Sequence, residues 1–300
     1  MTADLALTAT GLTRRFGSFV AVDGIDLQVP RGAIFGFLGA NGAGKTTTIR
    51  MLCGLLAPTS GAATVDGVDV VRDPDGVKAR IGYMAQKFSL YDDLSVDENI
   101  RFFADVYLVP RKQMKSRRDQ VLESVGLQDR AKTITHTLPV GIKQRLALAC
   151  ALVHQPRVLF LDEPTAGVDP LSRRSFWAQI HHLSAAGVTI FVTTHHLDEA
   201  ENCHTVVFMR DGRSVGLGPP RVLREAADRG DLFRVEGVDR PQLLASPLVK
   251  EFTPMGSRWH VRLKDPAAID DLRAALRCEA VRIAPSLEDV FIEACQRSDP

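Results

Sequence analysis

Ile34-Phe35-Gly36-Phe37-Leu38-Gly39-Ala40-Asn41-Gly42-Ala43-Gly44-Lys45-Thr46-Thr47 joins a short apolar run to a glycine-rich loop and then to residues that favour a helix. The run Ile34 to Phe37 reads as a buried strand, and Gly39 to Thr46 satisfies the whole phosphate-loop pattern. Gly39, Gly42 and Gly44 let consecutive backbone N–H groups close around phosphate oxygens. The helix expected from about Lys45 to Leu56 adds positive potential at its start, Lys45 can reach the outer phosphates, and Thr46 can coordinate Mg²⁺. Asn41 and Thr47 complete the candidate contacts of the loop. The strand before it and the helix after it distinguish this stretch from a glycine-rich turn with a surface lysine. A kinase, a GTPase and a transport ATPase all need the same cradle, so the pattern does not choose among them.

Working outward, Val20, Val22, Ile25, Leu27 and Val29 alternate in partial period two before Pro30-Arg31-Gly32, which predicts strands and a turn. Asp66-Gly67 between apolar residues predicts a hairpin. From about residue 88 to 152 the character changes: Asn99 to Tyr107, Met114 to Val125 and Ile142 to Leu152 are predicted helices, forming a helical insertion in an α/β core. Val158 to Leu161 and Val188 to Val192 are predicted buried strands, separated by a helix that begins at Asp169-Pro170 and stops at Gly187. This rhythm implies a parallel sheet. A first domain spanning residues 1 to 220 is expected, followed by a small α+β domain from 221 to 300. In the latter, Leu232 to Val235, Trp259 to Leu263 and Val281 to Ile283 are predicted strands and Ala267 to Leu276 a helix.

Val158-Leu159-Phe160-Leu161-Asp162-Glu163 carries the second chemical feature. A buried strand can bring Asp162 to the sheet edge as a Mg²⁺ partner, and Glu163 can orient and deprotonate an attacking water while Lys45 and Mg²⁺ offset charge on the γ-phosphoryl group. An acidic helix-capping pair ahead of Pro164 is the plainer alternative. His195 follows the next predicted strand, so neighbouring parallel strands would bring it to the same edge as Glu163, where it can bond the γ-phosphate or its water. His181, His182, His196 and His204 keep a structural reading.

The bulk composition is permissive rather than decisive. The chain has 300 residues, 45% hydrophobic and 24% charged, with a formal net charge of +1, which gives no general electrostatic attraction for nucleic acid. Met1 to Thr8 holds no basic cluster followed by an apolar run, and no segment offers 18 consecutive apolar residues, so a cytosolic chain is expected. Cys53, Cys150, Cys203, Cys278 and Cys295 are widely spaced, which favours buried thiols over zinc ligands or a disulfide framework.

With the phosphate loop, the acidic pair and His195 in order, residues 5 to 220 resemble the ATP-binding subunit of ATP-binding-cassette transporters. The likeness is closest to the exporter branch whose permease is a separate membrane protein, and Pro285-Ser286-Leu287-Glu288-Asp289-Val290-Phe291 is similar to that branch's ending. The resemblance implies a P-loop NTPase fold with a helical subdomain, ATP and Mg²⁺ as ligands, and a peripheral position on the cytoplasmic face of the inner membrane. It implies Phe16 as an aromatic platform for adenine, though Phe16 also suits a core position. Gln86 matches the residue that contacts Mg²⁺ or water, with a solvent-facing amide as the alternative. Asp169, in Ala166-Gly167-Val168-Asp169, matches a loop that communicates between two ATPase subunits and can equally serve as an N-cap. Phe88, Tyr91, Val106 and Tyr107 are placed where a multi-span permease would dock, or where they simply hold the insertion together.

Leu138-Pro139-Val140-Gly141-Ile142-Lys143-Gln144-Arg145 departs from the family's signature segment. Pro139 stands where serine is usual and Val140 where the first glycine is usual, so a hydroxyl contact to the opposite subunit's γ-phosphate is missing. Gly141 still permits close approach. Both a homodimer and pairing with a second ATPase bearing an orthodox signature are compatible with this sequence. A periplasmic adaptor in the full exporter is a further expectation, and no nucleic-acid partner is expected. The small second domain suits regulation or dimer stabilisation.

Overall fold

The computed structural model describes residues 4 to 86 and 89 to 297; Phe88 lies outside the described residues. The chain divides into two compact units, residues 1–218 and residues 219–300.

The first unit opens with a long antiparallel hairpin of β1 (Leu5–Phe16) and β2 (Phe19–Pro30), paired from Leu5↔Pro30 to Phe16↔Phe19. β3 (Ile34–Leu38) is buried along its whole length and leads through the glycine-rich loop into α1 (Lys45–Leu52). β4 (Ser60–Val65) and β5 (Val68–Asp69) complete a four-stranded sheet of order β2-β1-β4-β5. Asp66 and Gly67 between them have φ of 48° and 78°, the two positive values that a tight I′ hairpin demands. The side chain of Asp66 is enclosed by guanidinium groups, with Arg31 at 2.5 Å, Arg80 at 3.6 Å and Arg157 at 3.7 Å.

After α2 (Pro74–Lys78) and β6 (Ile81–Met84) come three helices, α3 (Val96–Val106), α4 (Arg111–Val125) and α5 (Val140–Leu152). The chain then alternates: β7 (Val158–Asp162), α6 (Pro170–Ala185), β8 (Thr189–Thr194), α7 (Leu197–Ala200), β9 (Thr205–Arg210) and β10 (Arg213–Gly218). The second sheet has order β10-β9-β3-β8-β7-β6 and is parallel except for β10. Strand–helix–strand connections of this kind put the carboxy ends of β3, β7 and β8 at one edge, with the glycine-rich loop, Glu163 and His195 just beyond them. Between the sheets lies a shared core in which the Phe191 ring meets those of Phe35, Phe37 and Phe160 at centroid distances of 5.2, 5.8 and 5.0 Å.

Several boundaries differ from those expected. α1 stops at Leu52, not Leu56, because Gly54 takes φ 66° and the amides of Leu55 and Leu56 both return to the Arg50 carbonyl. α3 starts at Val96 rather than Asn99, where Ser95 and Glu98 form a reciprocal capping box. α4 begins at Arg111 after Pro110, α5 begins at Val140 immediately after Pro139, and β8 runs to Thr194 instead of ending at Val192.

The second unit is built of α8 (Pro220–Ala227), β11 (Leu232–Glu236), α9 (Arg240–Ala245), β12 (Val249–Met255), β13 (Arg258–Leu263), α10 (Ile269–Leu276), β14 (Glu279–Arg282) and α11 (Leu287–Arg297). Its sheet is antiparallel, of order β12-β13-β11-β14. One face packs Phe233, Val235, Val261 and Leu263 against Leu243 and Leu272. On β13 the alternate residues are polar: the buried Arg262 is ion-paired with Asp231, Glu251 and Glu293, and His260 Nδ1 meets Asp289 of α11 at 2.8 Å. α11 was not anticipated as a helix, yet Ser286 and Asp289 cap it by exchanging backbone and side-chain bonds. Cys53, Cys150 and Cys203 are buried free thiols, and Cys278 and Cys295 are half-buried. Among the described residues no helix is long and apolar enough to cross a membrane.

Because Phe191 is fully buried and touches three other rings, Phe191→Ala is expected to lower the unfolding free energy by about 3–5 kcal/mol, read by chemical denaturation with circular dichroism.

Candidate active site

The loop after β3 can turn as it does only with glycine at its tightest points. A Cβ on Gly39 would lie 2.3 Å from the Met209 carbonyl oxygen. Gly44, the residue before α1, has φ 100°, and a Cβ there would lie 2.6 Å from the Ala21 carbonyl oxygen. Lys45 is buried and donates to the carbonyls of Gly39 at 2.7 Å and Ala40 at 3.1 Å, with Glu163 Oε1 3.7 Å away. Burial lowers the pKa of its ammonium, with Glu163 and Asp162 pulling the other way. Asn41 is exposed on the loop, and Thr47 is half-buried on α1.

Asp162 ends β7 beside Thr193 of β8. The Thr193 hydroxyl donates to Asp162 Oδ1 at 2.6 Å, and the Thr46 hydroxyl lies 3.3 and 3.2 Å from the two carboxylate oxygens. A buried carboxylate alongside a hydroxyl is a hard-oxygen donor set of the kind Mg²⁺ uses together with phosphate oxygens and water, so these residues fit that ion.

Glu163 leaves the strand with φ 48°, a left-handed conformation that costs a non-glycine residue about 1–3 kcal/mol. Its amide donates to the Thr193 hydroxyl at 2.9 Å and to the Thr193 carbonyl at 3.2 Å. The turn aims the side chain away from Asp162. Gln86 Nε2 donates to Glu163 Oε2 at 2.9 Å, and His195 Nδ1 lies 3.3 Å from the same oxygen. One carboxylate therefore gathers Lys45, Gln86 and His195, which come from three separate segments.

Other expected residues lie elsewhere. Phe16 is 47% exposed at the end of the β1–β2 hairpin, with the Arg14 guanidinium 4.5 Å over its ring, so it is not a core residue. Asp169 caps α6 by accepting from the amides of Leu171 at 3.0 Å and Ser172 at 2.9 Å. Ser172, through its hydroxyl and amide, holds the Asp169 carboxyl below its ordinary pKa. Gly141, in the first turn of α5, faces the first turn of α6: a Cβ on it would lie 2.8 Å from Ser172 Oγ. Gly141 and Asp169 are thus neighbours through Ser172. Pro139 precedes α5 and gives it no side-chain cap, and Val140 is exposed at its first position. Thr193 was missed by the reading of the sequence. The signal available was a polar Thr193-Thr194 pair closing the apolar run Ile190 to Val192 just before His195.

A parallel sheet with a phosphate loop at the carboxy end of β3 and an acidic pair at the end of β7 defines a P-loop nucleotide-binding protein. Residues 22–166 match the family model described as ABC transporter. Over 311 residues the chain is 35% identical to a daunorubicin resistance ATP-binding protein of Streptomyces coeruleorubidus, covering 97% of this chain and 96% of the relative. Over 221 residues it is 48% identical to a probable multidrug ABC transporter ATP-binding protein of Escherichia coli, covering 74% of this chain and 38% of the relative. This chain therefore spans well under half the length of that relative. Among solved structures, cbiO1 from Clostridium perfringens, part of an ABC transporter complex, matches with a TM-score of 0.68 and 30% identity over 75% of this chain and 96% of that one. The chain belongs to the ATP-binding proteins of ABC transporters.

Gly44→Ala would force a Cβ into the Ala21 carbonyl and strain the start of α1, so calorimetry is expected to read an affinity for Mg²⁺-ATP weaker by about tenfold or more.

Proposed function

We propose that this chain hydrolyses ATP to drive export of a lipophilic compound, lipid or polysaccharide through a separate multi-span permease, working peripherally on the cytoplasmic face of the membrane. The observation that carries this reading is the convergence of Lys45, Gln86 and His195 on the Glu163 carboxylate, beside an Asp162 that Thr193 turns toward Thr46. Glu163 orients water and takes its proton during attack on the γ-phosphorus, and His195 and Gln86 hold that carboxylate and the water in line. Lys45 and the loop amides of Gly39 to Thr46 offset the negative charge that develops on the phosphoryl oxygens. Asp162 and Thr46 hold Mg²⁺, which supplies further charge compensation when bound. Phe16 offers an exposed ring face to adenine, a contact that stacks without reading the donor pattern of the base.

Transport needs a partner in the membrane. Tyr91, Val106 and Leu108 are exposed, and Val106, Tyr107 and Leu108 line a groove of about 540 Å³ together with Leu55 and Ile81. An amphipathic segment of the permease docks there in this reading. The names of relatives concerned with multidrug, daunorubicin and Nod factor export support the export direction. The second unit serves regulation or dimer stabilisation, and a periplasmic adaptor completes the exporter.

In a dimer with a second ATPase of orthodox signature, the altered signature would make the two nucleotide sites unequal. Pro139 has neither hydroxyl nor N–H to offer a γ-phosphate bound by the opposite subunit, whereas the chain's own Lys45, Asp162, Glu163 and His195 are complete. The partner is accordingly a second ATPase that supplies an orthodox signature to this chain's nucleotide. Purified alone, the protein is expected to turn over Mg²⁺-ATP slowly in a coupled phosphate-release assay. Brisk hydrolysis by a homodimer would exclude the obligate partner.

Glu163→Gln is expected to keep Mg²⁺-ATP binding and to lower kcat by about 10²–10⁴-fold, while Lys45→Ala weakens both binding and turnover. Unchanged steady-state hydrolysis in Glu163→Gln would remove Glu163 as the base.

A further inference from the structure

Three segments bearing site residues meet at one carboxylate. Glu199 belongs to α7, four residues after His195, and is 2% exposed. Its Oε1 accepts a hydrogen bond from the hydroxyl of Thr165, which is itself buried two residues past Glu163. The same oxygen faces Arg173 Nε at 3.3 Å, and Arg173 lies in α6 one turn beyond Asp169. Glu199 Oε2 is buried and has no hydrogen-bond partner among the described residues.

A carboxylate in this position loses hydration that a single ion pair and one hydrogen bond do not fully return, so an apolar residue of similar volume would serve packing better. What the carboxylate adds is a directional tie. Past the Glu163 amide, which bonds to Thr193, the segment up to Asp169 has left the sheet, and its backbone bonds, Ala166 to Glu163 and Val168 to Thr165, are local. The segment after β8 is likewise beyond the sheet, with the Glu199 amide bonded to the His196 carbonyl. Thr165 from within the first segment and Arg173 from the start of α6 just past it reach Glu199 and join both to the second.

We propose that Glu199 is a positioning residue for hydrolysis. Through Thr165 and Arg173 it holds the Glu163 loop, the start of α6 at Asp169 and the His195 segment as one body. Glu163 and His195 then keep their mutual placement when a partner cassette presses on Asp169. This inference rests on the assignment of Glu163 and His195 made above.

The test uses the full-length chain assembled with its membrane partner and second ATPase, carrying Glu199→Leu, Thr165→Val, both together, or Thr165→Ser. The readouts are kcat and KM for ATP, with Mg²⁺-ADP affinity from calorimetry. Glu199→Leu and Thr165→Val are each expected to lower kcat by about tenfold or more, since small misplacements of reacting groups cost this much, while KM and ADP affinity change by less than about twofold. Thr165→Ser keeps the hydroxyl and is expected to restore turnover. The double variant is expected to be no slower than the worse single one, because both changes cut the same tie. Unchanged kcat in both single variants, equal losses of turnover and ADP binding, or additive losses would overturn the proposal. If Glu163→Gln also left hydrolysis intact, the assignment of the site beneath it would fall instead.

Discussion

The Thr193 hydroxyl sits between two acidic residues that are adjacent in sequence and must face different ways. It donates to Asp162 Oδ1 at 2.6 Å and accepts the Glu163 amide at 2.9 Å. The first bond holds the Asp162 carboxylate toward Thr46. The second helps hold the Glu163 backbone at φ 48°, so that its side chain swings toward Lys45, Gln86 and His195 instead of continuing the strand. A local strain of this kind persists only when the surroundings over-determine it, and here the neighbouring strand supplies both restraints from one atom. The rest of the site follows from that fork.

Gathering Lys45, Asp162 and Glu163 in a largely buried edge would be expensive if any were left unpaired. Each has an internal partner: loop carbonyls for Lys45, two threonine hydroxyls for Asp162, an amide and an ammonium for Glu163. Such an edge suits a bound polyanion, which would exchange partners with groups already aimed at the same space. The second unit uses buried charge for another end: Arg262 of β13 ties Asp231 before β11, Glu251 of β12 and Glu293 of α11 together.

How much of this could be read from residues alone depended on the range of the interaction. The loop from Gly39 to Thr46 is covalently contiguous, and its glycines are fixed by close approach to backbone, so its pattern was fully legible. Asp162 and Glu163 were legible because a buried strand delivers its last residues to an edge. The left-handed turn at Glu163 was not, because it is imposed by Thr193 across the sheet. Ser95 and Glu98 carried a capping signal that apolar periodicity alone overlooked, which placed the start of α3 too late. β12 was missed for a related reason: Pro254 and partly exposed residues on an edge strand blur the alternation.

Asp66 lies at the far end of the same architecture. Arg80 comes just before β6 and Arg157 just before β7, so the guanidinium groups around Asp66 tether the amino ends of two parallel strands to the β4–β5 turn. Gln86 and Glu163 follow the opposite ends of those strands. The two ends of these strands thus serve different purposes: ion pairs to Asp66 at the amino margin, and loops that would meet a bound nucleotide beyond the carboxy ends. That is where Gln86, Glu163 and His195 meet.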